Sequence, residues 1–234
     1  MSVGLFEDSG IVAGVDGCPG GWVNFEVALP SRTTTVVIIP KLSELLARSP
    51  RPKLVAIDIP IGLPTEGARA CDVGARKLLG KPRSSSVFPA PVRATLAAST
   101  YKEACKLSQE AQGKSLSRQA FDILAKIREV DDLITPELQT WMFEIHPELS
   151  FWALNDRFSL KHKKSTREGK EERLKLLLPH FPAIKTHLTE LDRSRASASD
   201  LLDAAVAAWT AECVSRGVVP RQFDSKGLRM EIVY

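Results

Sequence analysis

Apolar and polar positions alternate in the first sixty residues in a way that marks out strands. Val23, Phe25, Val27 and Leu29 alternate with Trp22, Asn24, Glu26 and Ala28, a period of two that predicts a strand with one well-buried face. Before it, Ile11-Val12-Ala13-Gly14-Val15 is a short apolar run ending at Asp16, and Gly17-Cys18-Pro19-Gly20-Gly21 is a cluster of turn formers. The two runs read as a hairpin with Asp16 at its tip. Residues 33–39 form a third β-rich run, and residues 42–48 a helix with Leu42, Leu45 and Leu46 on one side. Leu54-Val55-Ala56-Ile57 reads as a fully buried strand that also ends in an aspartate, Asp58. Pro60 and Pro64 then prevent a regular central strand, because proline has no ladder donor.

The middle of the chain is helical. Residues 69–79 form one helix stopped by Gly80, residues 81–93 an extended loop stiffened by proline, and residues 100–112 and 117–134 two more helices. Residues 141–145 read as a fifth strand leading into His146-Pro147-Glu148. Helices over 149–154, 170–178 and 199–216 follow, with a last short strand in 228–233. A hairpin-linked trio followed by helix-connected strands is the plan of an RNase H-like α/β fold. The expectation is a mixed five-stranded sheet with helices on both faces. With no repeat and no linker, residues 1–234 read as a single domain with a helical insertion at about 66–135.

Composition changes this picture little. At 234 residues, 44% hydrophobic and 26% charged, the chain is long enough to bury a core without disulfides and is neither fibrous nor disordered. The N-terminus lacks a basic leader with a long apolar stretch, and no run spans a membrane, so a cytoplasmic address is expected. Cys18, Cys71, Cys105 and Cys213 lie too far apart for a C-x-x-C zinc or redox site. The formal net charge of +4 permits nucleic-acid binding without requiring it. Residues 156–175 hold eight basic and four acidic side chains, a surplus equal to that of the whole chain. Within this run, Lys161-His162-Lys163-Lys164 and Arg167 read either as a nucleic-acid footprint or, more commonly for a mixed charge run, as a solvated, mobile loop.

The acidic residues carry the chemistry. If the strands ending at Asp16 and Asp58 are parallel neighbours, both carboxylates emerge at one edge of the sheet, where open α/β sheets bind ligands. Asp200 and Asp203, three apart on the last long helix, share a helix face. Hard cations such as Mg²⁺ or Mn²⁺ take oxygen ligands, and a two-metal centre hydrolysing a phosphodiester needs several carboxylates from different elements. Glu144 is a further metal candidate, and Glu148 another. Plainer roles compete: an Asp before Gly is commonly a turn residue, and Asp200 in a first helical turn offsets the helix dipole.

Several short motifs together resemble a domain-of-unknown-function family, number 429. They are Val12-Ala13-Gly14-Val15-Asp16-Gly17-Cys18-Pro19-Gly20-Gly21-Trp22, Asp58-Ile59-Pro60-Ile61-Gly62-Leu63-Pro64, Arg69-Ala70-Cys71-Asp72 with Ala75-Arg76, Ser86-Val87-Phe88-Pro89-Ala90-Pro91-Val92-Arg93, Glu144-Ile145-His146-Pro147-Glu148 and Asp200-Leu201-Leu202-Asp203-Ala204. The resemblance implies an RNase H-like fold and a nuclease activity. The acids also look like those of RuvC-type junction resolvases, with one on the first strand, one on the fourth and two spaced by three on the final helix. Asp58 departs from that pattern, in which the fourth-strand acid is usually the longer Glu, and Pro60 would shape the site differently.

Other side chains are assigned around this centre. Arg69, Arg76, Ser86 and Arg93 are candidate substrate contacts, since arginines on rigid supports bind phosphate bidentately. The alternative is a helix-surface ion pair of Asp72 with Arg76. His146 is a candidate general base, or a capping or core histidine. The expectation is therefore a metal-dependent nuclease or phosphodiesterase acting on nucleic acid or another phosphoester. Two further classes stay open. One is an actin-like ATPase or sugar-kinase-related phosphotransferase, which normally needs two such domains. The other is a non-catalytic nucleic-acid-binding module.

Overall fold

The structure is a computed structural model that describes residues 10–213 and 222–234. The leader reading of residues 1–9 and the last three residues of the expected helix 199–216 lie outside the described residues. In chain order the elements are β1 (Gly10–Cys18), β2 (Gly21–Leu29), β3 (Thr34–Ile39), α1 (Ser43–Leu46), β4 (Leu54–Asp58), α2 (Ala70–Leu79), α3 (Tyr101–Gln112), α4 (Arg118–Asp122), α5 (Leu124–Leu133), β5 (Met142–Ile145), α6 (Pro147–Leu154), α7 (Arg167–Leu177), α8 (Ile184–Glu190) and α9 (Ala198–Cys213). Three two-residue strands end the chain: β6 (Gln222–Phe223), β7 (Arg229–Met230) and β8 (Ile232–Val233). Among the described residues the main sheet is mixed and has six strands rather than five, in the order β3-β2-β1-β4-β5-β8. The sixth is β8, a two-residue strand inside the expected run 228–233. This is an α/β fold consistent with the RNase H-like plan. No helix among the described residues is long and apolar enough to cross a membrane.

The chain divides into two compact units. The first holds described residues 10–58 and 145–213 with Tyr234. In it β1 and β2 pair antiparallel from Gly10 opposite Leu29 to Cys18 opposite Gly21. The turn is therefore the two residues Pro19-Gly20, and Asp16 is not at the tip. It sits inside the strand opposite Val23, because ladder pairing continues through Gly17 and Cys18. β1 pairs parallel with β4, Val12 beside Leu54 through Asp16 beside Asp58. Val12, Ala13 and Val15 are fully buried, so β1 is covered on both faces, as the centre of an α/β sheet must be.

Helix α9 lies against β1, β4 and β2. Its run of small residues, Ala204, Ala205, Ala207 and Ala208, is completely buried. Gly14 lets the helix come that close. A Cβ there would stand 2.0 Å from the Ala204 carbonyl oxygen and 2.1 Å from the Ala208 nitrogen. Backbone meets backbone at this crossing, so neither side can yield by changing a rotamer.

The second unit holds residues 59–144 and described residues 222–233. Arg69 is the N-cap of α2, and Gly80 ends it at φ 59°, a left-handed value that glycine tolerates. The helix expected over 117–134 is two helices, α4 and α5, meeting at Ile123 with ψ 3°. Ala98, Ala104, Leu116, Ala120 and Leu124 form a local core, with Phe88, Leu96, Leu107 and Phe121 packed on it.

Candidate active site

Residues two apart on a strand share a face, so Asp16 projects from the face of β1 that carries Gly14 and is covered by α9. Partners in a parallel ladder stand side by side, with strands about 4.8 Å apart. Asp58 thus accompanies Asp16 on that face. Asp203 precedes Ala204, whose carbonyl crowds Gly14, and its side chain is 2% exposed. Three carboxylates from β1, β4 and α9 therefore share one partly dry space in the first unit. Burial first, then the charges of Asp58 and Asp203, push the Asp16 carboxyl well above the usual carboxylate range. Lys164 pulls it back, and Asp200 adds a lesser push upward.

Asp200 itself is committed elsewhere. Its carboxylate accepts from the Ser197 backbone N–H at 2.8 Å and from the Ser197 hydroxyl at 2.9 Å, while its own N–H donates to Ser197 Oγ at 3.3 Å. That is a reciprocal cap of the start of α9, the plainer role anticipated for it. It stays near enough to Asp16 to act through its charge alone.

Sequence reasoning named Lys164 only as part of the basic run 161–167, and the structure brings it to the carboxylates. Its ammonium donates to Asp203 Oδ2 at 2.9 Å. Asp203 above all, then Asp58 and Asp16, raises the pKa of Lys164 against the opposing effect of burial. The loop that carries it is anchored. Lys161 and His162 donate their backbone N–H groups to Glu172 at 2.8 and 3.0 Å. Thr166 donates to the Lys163 carbonyl through both its N–H and its hydroxyl, at 3.0 Å each. Gly169 packs so close to this loop that a Cβ would lie 1.9 Å from the Lys163 oxygen. Beneath it, Arg173 is buried, donates to both Glu148 oxygens at 2.9 and 2.7 Å, and holds the Gly169 and His162 carbonyls. Residues 161–165 are exposed, as a solvated charge run should be, and their backbone is also hydrogen-bonded at both ends, with Glu148 the counter-ion of the Arg173 anchor.

Among the described residues, no group of three or more Asp, Glu, His or Cys side chains is arranged to hold a metal ion as it stands. The donors nevertheless suit a hard divalent cation. They are all carboxylate oxygens, and Asp203 Oδ1 is buried without a hydrogen-bond partner among the described residues. Such an orphan acceptor costs free energy until a cation or donor meets it.

Other expected site residues have different partners. His146 caps α6, its Nδ1 accepting from the Glu148 N–H at 3.2 Å. In the second unit, Glu144 accepts from Arg69 at 2.6 Å on each oxygen and from the Ile61 N–H at 2.7 Å. Arg69 also binds Asp72, at 2.5 Å for its closest contact, and is 2% exposed. Burial pulls the Arg69 pKa down, but Glu144 and Asp72 outweigh it and raise it overall. Burial lifts the Glu144 carboxyl to about 7 even against Arg69. The 2.6 Å charge-assisted contacts on both Glu144 oxygens favour the ionised pair. Arg76 donates to the Val87 carbonyl, and Arg93 pairs with Asp131 and Asp224. Ser86 closes the short turn Arg83–Ser86. The arginines expected to hold phosphate thus have protein acceptors already, and Glu144 has an arginine where a metal was expected.

No curated protein and no solved structure matches the chain significantly. A family profile described as "Protein of unknown function (DUF429)" matches residues 14–225, most of its length, and takes in Asp16, Asp58, Lys164, Asp200 and Asp203. The chain belongs to the DUF429 family.

Proposed function

We propose that the chain is a metal-dependent phosphodiester hydrolase that cuts nucleic acid, with its centre in the first unit. One observation carries the reading: Asp16 and Asp58 stand side by side on neighbouring strands with the charge of Asp203 acting on them, and one buried oxygen of Asp203 has no donor among the described residues. Asp16, Asp58 and Asp203 would hold Mg²⁺ or Mn²⁺. When bound, such a cation supplies Lewis-acid chemistry that eases attack on phosphorus and stabilises the leaving oxygen. Asp16, with its raised pKa, is a carboxyl whose ionisation a neighbouring positive charge would favour. Asp200 fixes the start of α9 and so the position of Asp203 one turn on.

Nucleic acid is favoured over a small phosphoester by the resolvase-like order of the acids and by the basic excess of residues 156–175, whose anchored loop reaches this centre through Lys164. The setting on this reading is the cytoplasm, since no disulfide joins any of the four cysteines.

The test is a panel of single-stranded, duplex and branched DNA, RNA and a small phosphodiester, with Mg²⁺ or Mn²⁺, for the wild type and Asp16→Asn. Metal-dependent cleavage of a polynucleotide by the wild type alone supports the reading. Cleavage of the small ester alone moves the substrate class, and no cleavage, or equal cleavage by both proteins, overturns it.

A further inference from the structure

Lys164 meets the carboxylate cluster in an unusual way for an ion pair. Its Nζ lies 2.9 Å from Asp203 Oδ2, yet its side chain is 58% exposed while that of Asp203 is 2% exposed. The buried partner cannot leave, because α9 is pinned against Gly14. The lysine can, because a flexible four-carbon stem lets the ammonium swing to water while its backbone stays held. Glu172, Thr166 and Arg173 hold the backbone on either side of it, which keeps the ammonium within reach of Asp203. The other Asp203 oxygen, Oδ1, is buried and has no partner among the described residues. One carboxylate therefore has one oxygen on a removable cation and one left bare.

We propose that Lys164 is a resident cation of this centre, which a divalent metal must displace from Asp203, so that the lysine sets metal affinity and holds the metal-free protein together. The proposal rests on the metal-binding reading above and adds to it a competitor built into the chain. A divalent ion among Asp16, Asp58 and Asp203 repels an ammonium at hydrogen-bond distance from one of its own ligands. Binding then includes the loss of the Lys164–Asp203 contact. Removing the lysine removes that cost, and it also leaves Asp203 without the ammonium hydrogen-bonded to it.

The test measures Mn²⁺ binding by calorimetry, or by the electron paramagnetic resonance signal of free Mn²⁺, with thermal melts alongside. Four proteins are compared: wild type, K164M, K164R and K161M. K161M loses the same charge from the same loop, at a side chain that the carboxylates do not hold. K164M should bind Mn²⁺ roughly three- to tenfold more tightly, the range expected for one partly exposed charged hydrogen bond. Its metal-free form should melt lower than the wild type, and its melting point should rise more with Mn²⁺. K164R and K161M should bind like the wild type. If K164M does not fold, K164Q replaces it and should shift in the same direction. Equal affinity of K164M and K161M, or weaker binding by K164M, overturns the proposal while leaving the metal site standing. If neither wild type nor K164M binds Mn²⁺, the metal reading falls and the proposal with it.

Discussion

The first unit and the second each bury a group of carboxylates, and they balance them in opposite ways. In the second unit, Arg69 is as buried as its partners, and both oxygens of Glu144 and of Asp72 accept hydrogen bonds. In the first, Asp203 pairs with Lys164, whose side chain is about half exposed, and Asp203 Oδ1 accepts nothing from the described residues. The residue types are alike, so acidity and burial alone do not mark a ligand site. The difference lies in the counter-charge: the Arg69 cluster encloses its own buried cation, whereas Asp16, Asp58 and Asp203 crowd like charges and leave a buried carboxylate oxygen for one.

The comparison breaks first at Arg69. Arg69→Ala should cost about 3–5 kcal/mol in chemical denaturation, the usual cost of leaving buried charges unpaired. Mn²⁺ should not restore this loss, since Glu144 and Asp72 are not its ligands. A loss under about 1 kcal/mol, within the range of an exposed pair, would show that the Arg69 cluster is not the finished structure described.

Gly14→Ala probes the packing that brings the acids together. Its Cβ must push α9 from β1, and about 1–3 kcal/mol is expected for such overpacking. The Mn²⁺ response should fall too, because Asp203 moves with the helix. Retention of full stability and full metal response would detach the site from that crossing.

A pH series separates the units more gently. The folded-state pKa of Asp16 lies above its unfolded value. The folded state therefore holds that proton more tightly, which favours folding at acid pH. The contribution is lost as pH rises through the raised pKa. Metal-free wild type should accordingly lose stability as pH climbs through that range. Asp16→Asn should flatten the curve and be the more stable of the two near neutrality. Parallel curves for the two proteins would remove the electrostatic cost assigned to Asp16.

The smallest effect belongs to His146. As a helix cap, His146→Ala should cost about 1 kcal/mol, typical of a lost cap. It should leave Mn²⁺ affinity as it was. A large fall in hydrolysis at unchanged stability would restore it to the reaction.

The strands and their acids were readable because period-two and continuous apolar runs depend only on which face is buried. Asp16 and Asp58 followed from that pattern. The place of Asp16 within its strand did not, since Gly17 to Gly21 all look like turn residues and only pairing shows that Pro19-Gly20 makes the turn. The break of α4 from α5 at Ile123 carries neither Gly nor Pro and gave no local signal. Partners were least readable. Arg69 and Glu144 are 75 residues apart, and spacing along the chain says nothing of such pairs. Lys164 was hidden in a charge run that usually means solvent. One signal was present: Gly169, Arg173 and Leu177 recur every four residues as the buried side of α7, so a basic residue stands in an apolar stripe. That marks an anchored segment rather than a loose one.

Thermal melting with and without Mn²⁺, for the wild type and Asp16→Asn, tests the central claim most directly. A cation that binds only the folded protein adds about 2.7 kcal/mol of stability at one hundred times its dissociation constant. The wild type should melt higher with Mn²⁺. Asp16→Asn should start at or above the metal-free wild type and gain little. If the two proteins respond alike, or neither responds, Asp16, Asp58 and Asp203 form a structural cluster like that of Arg69, and the distinction between the two units fails.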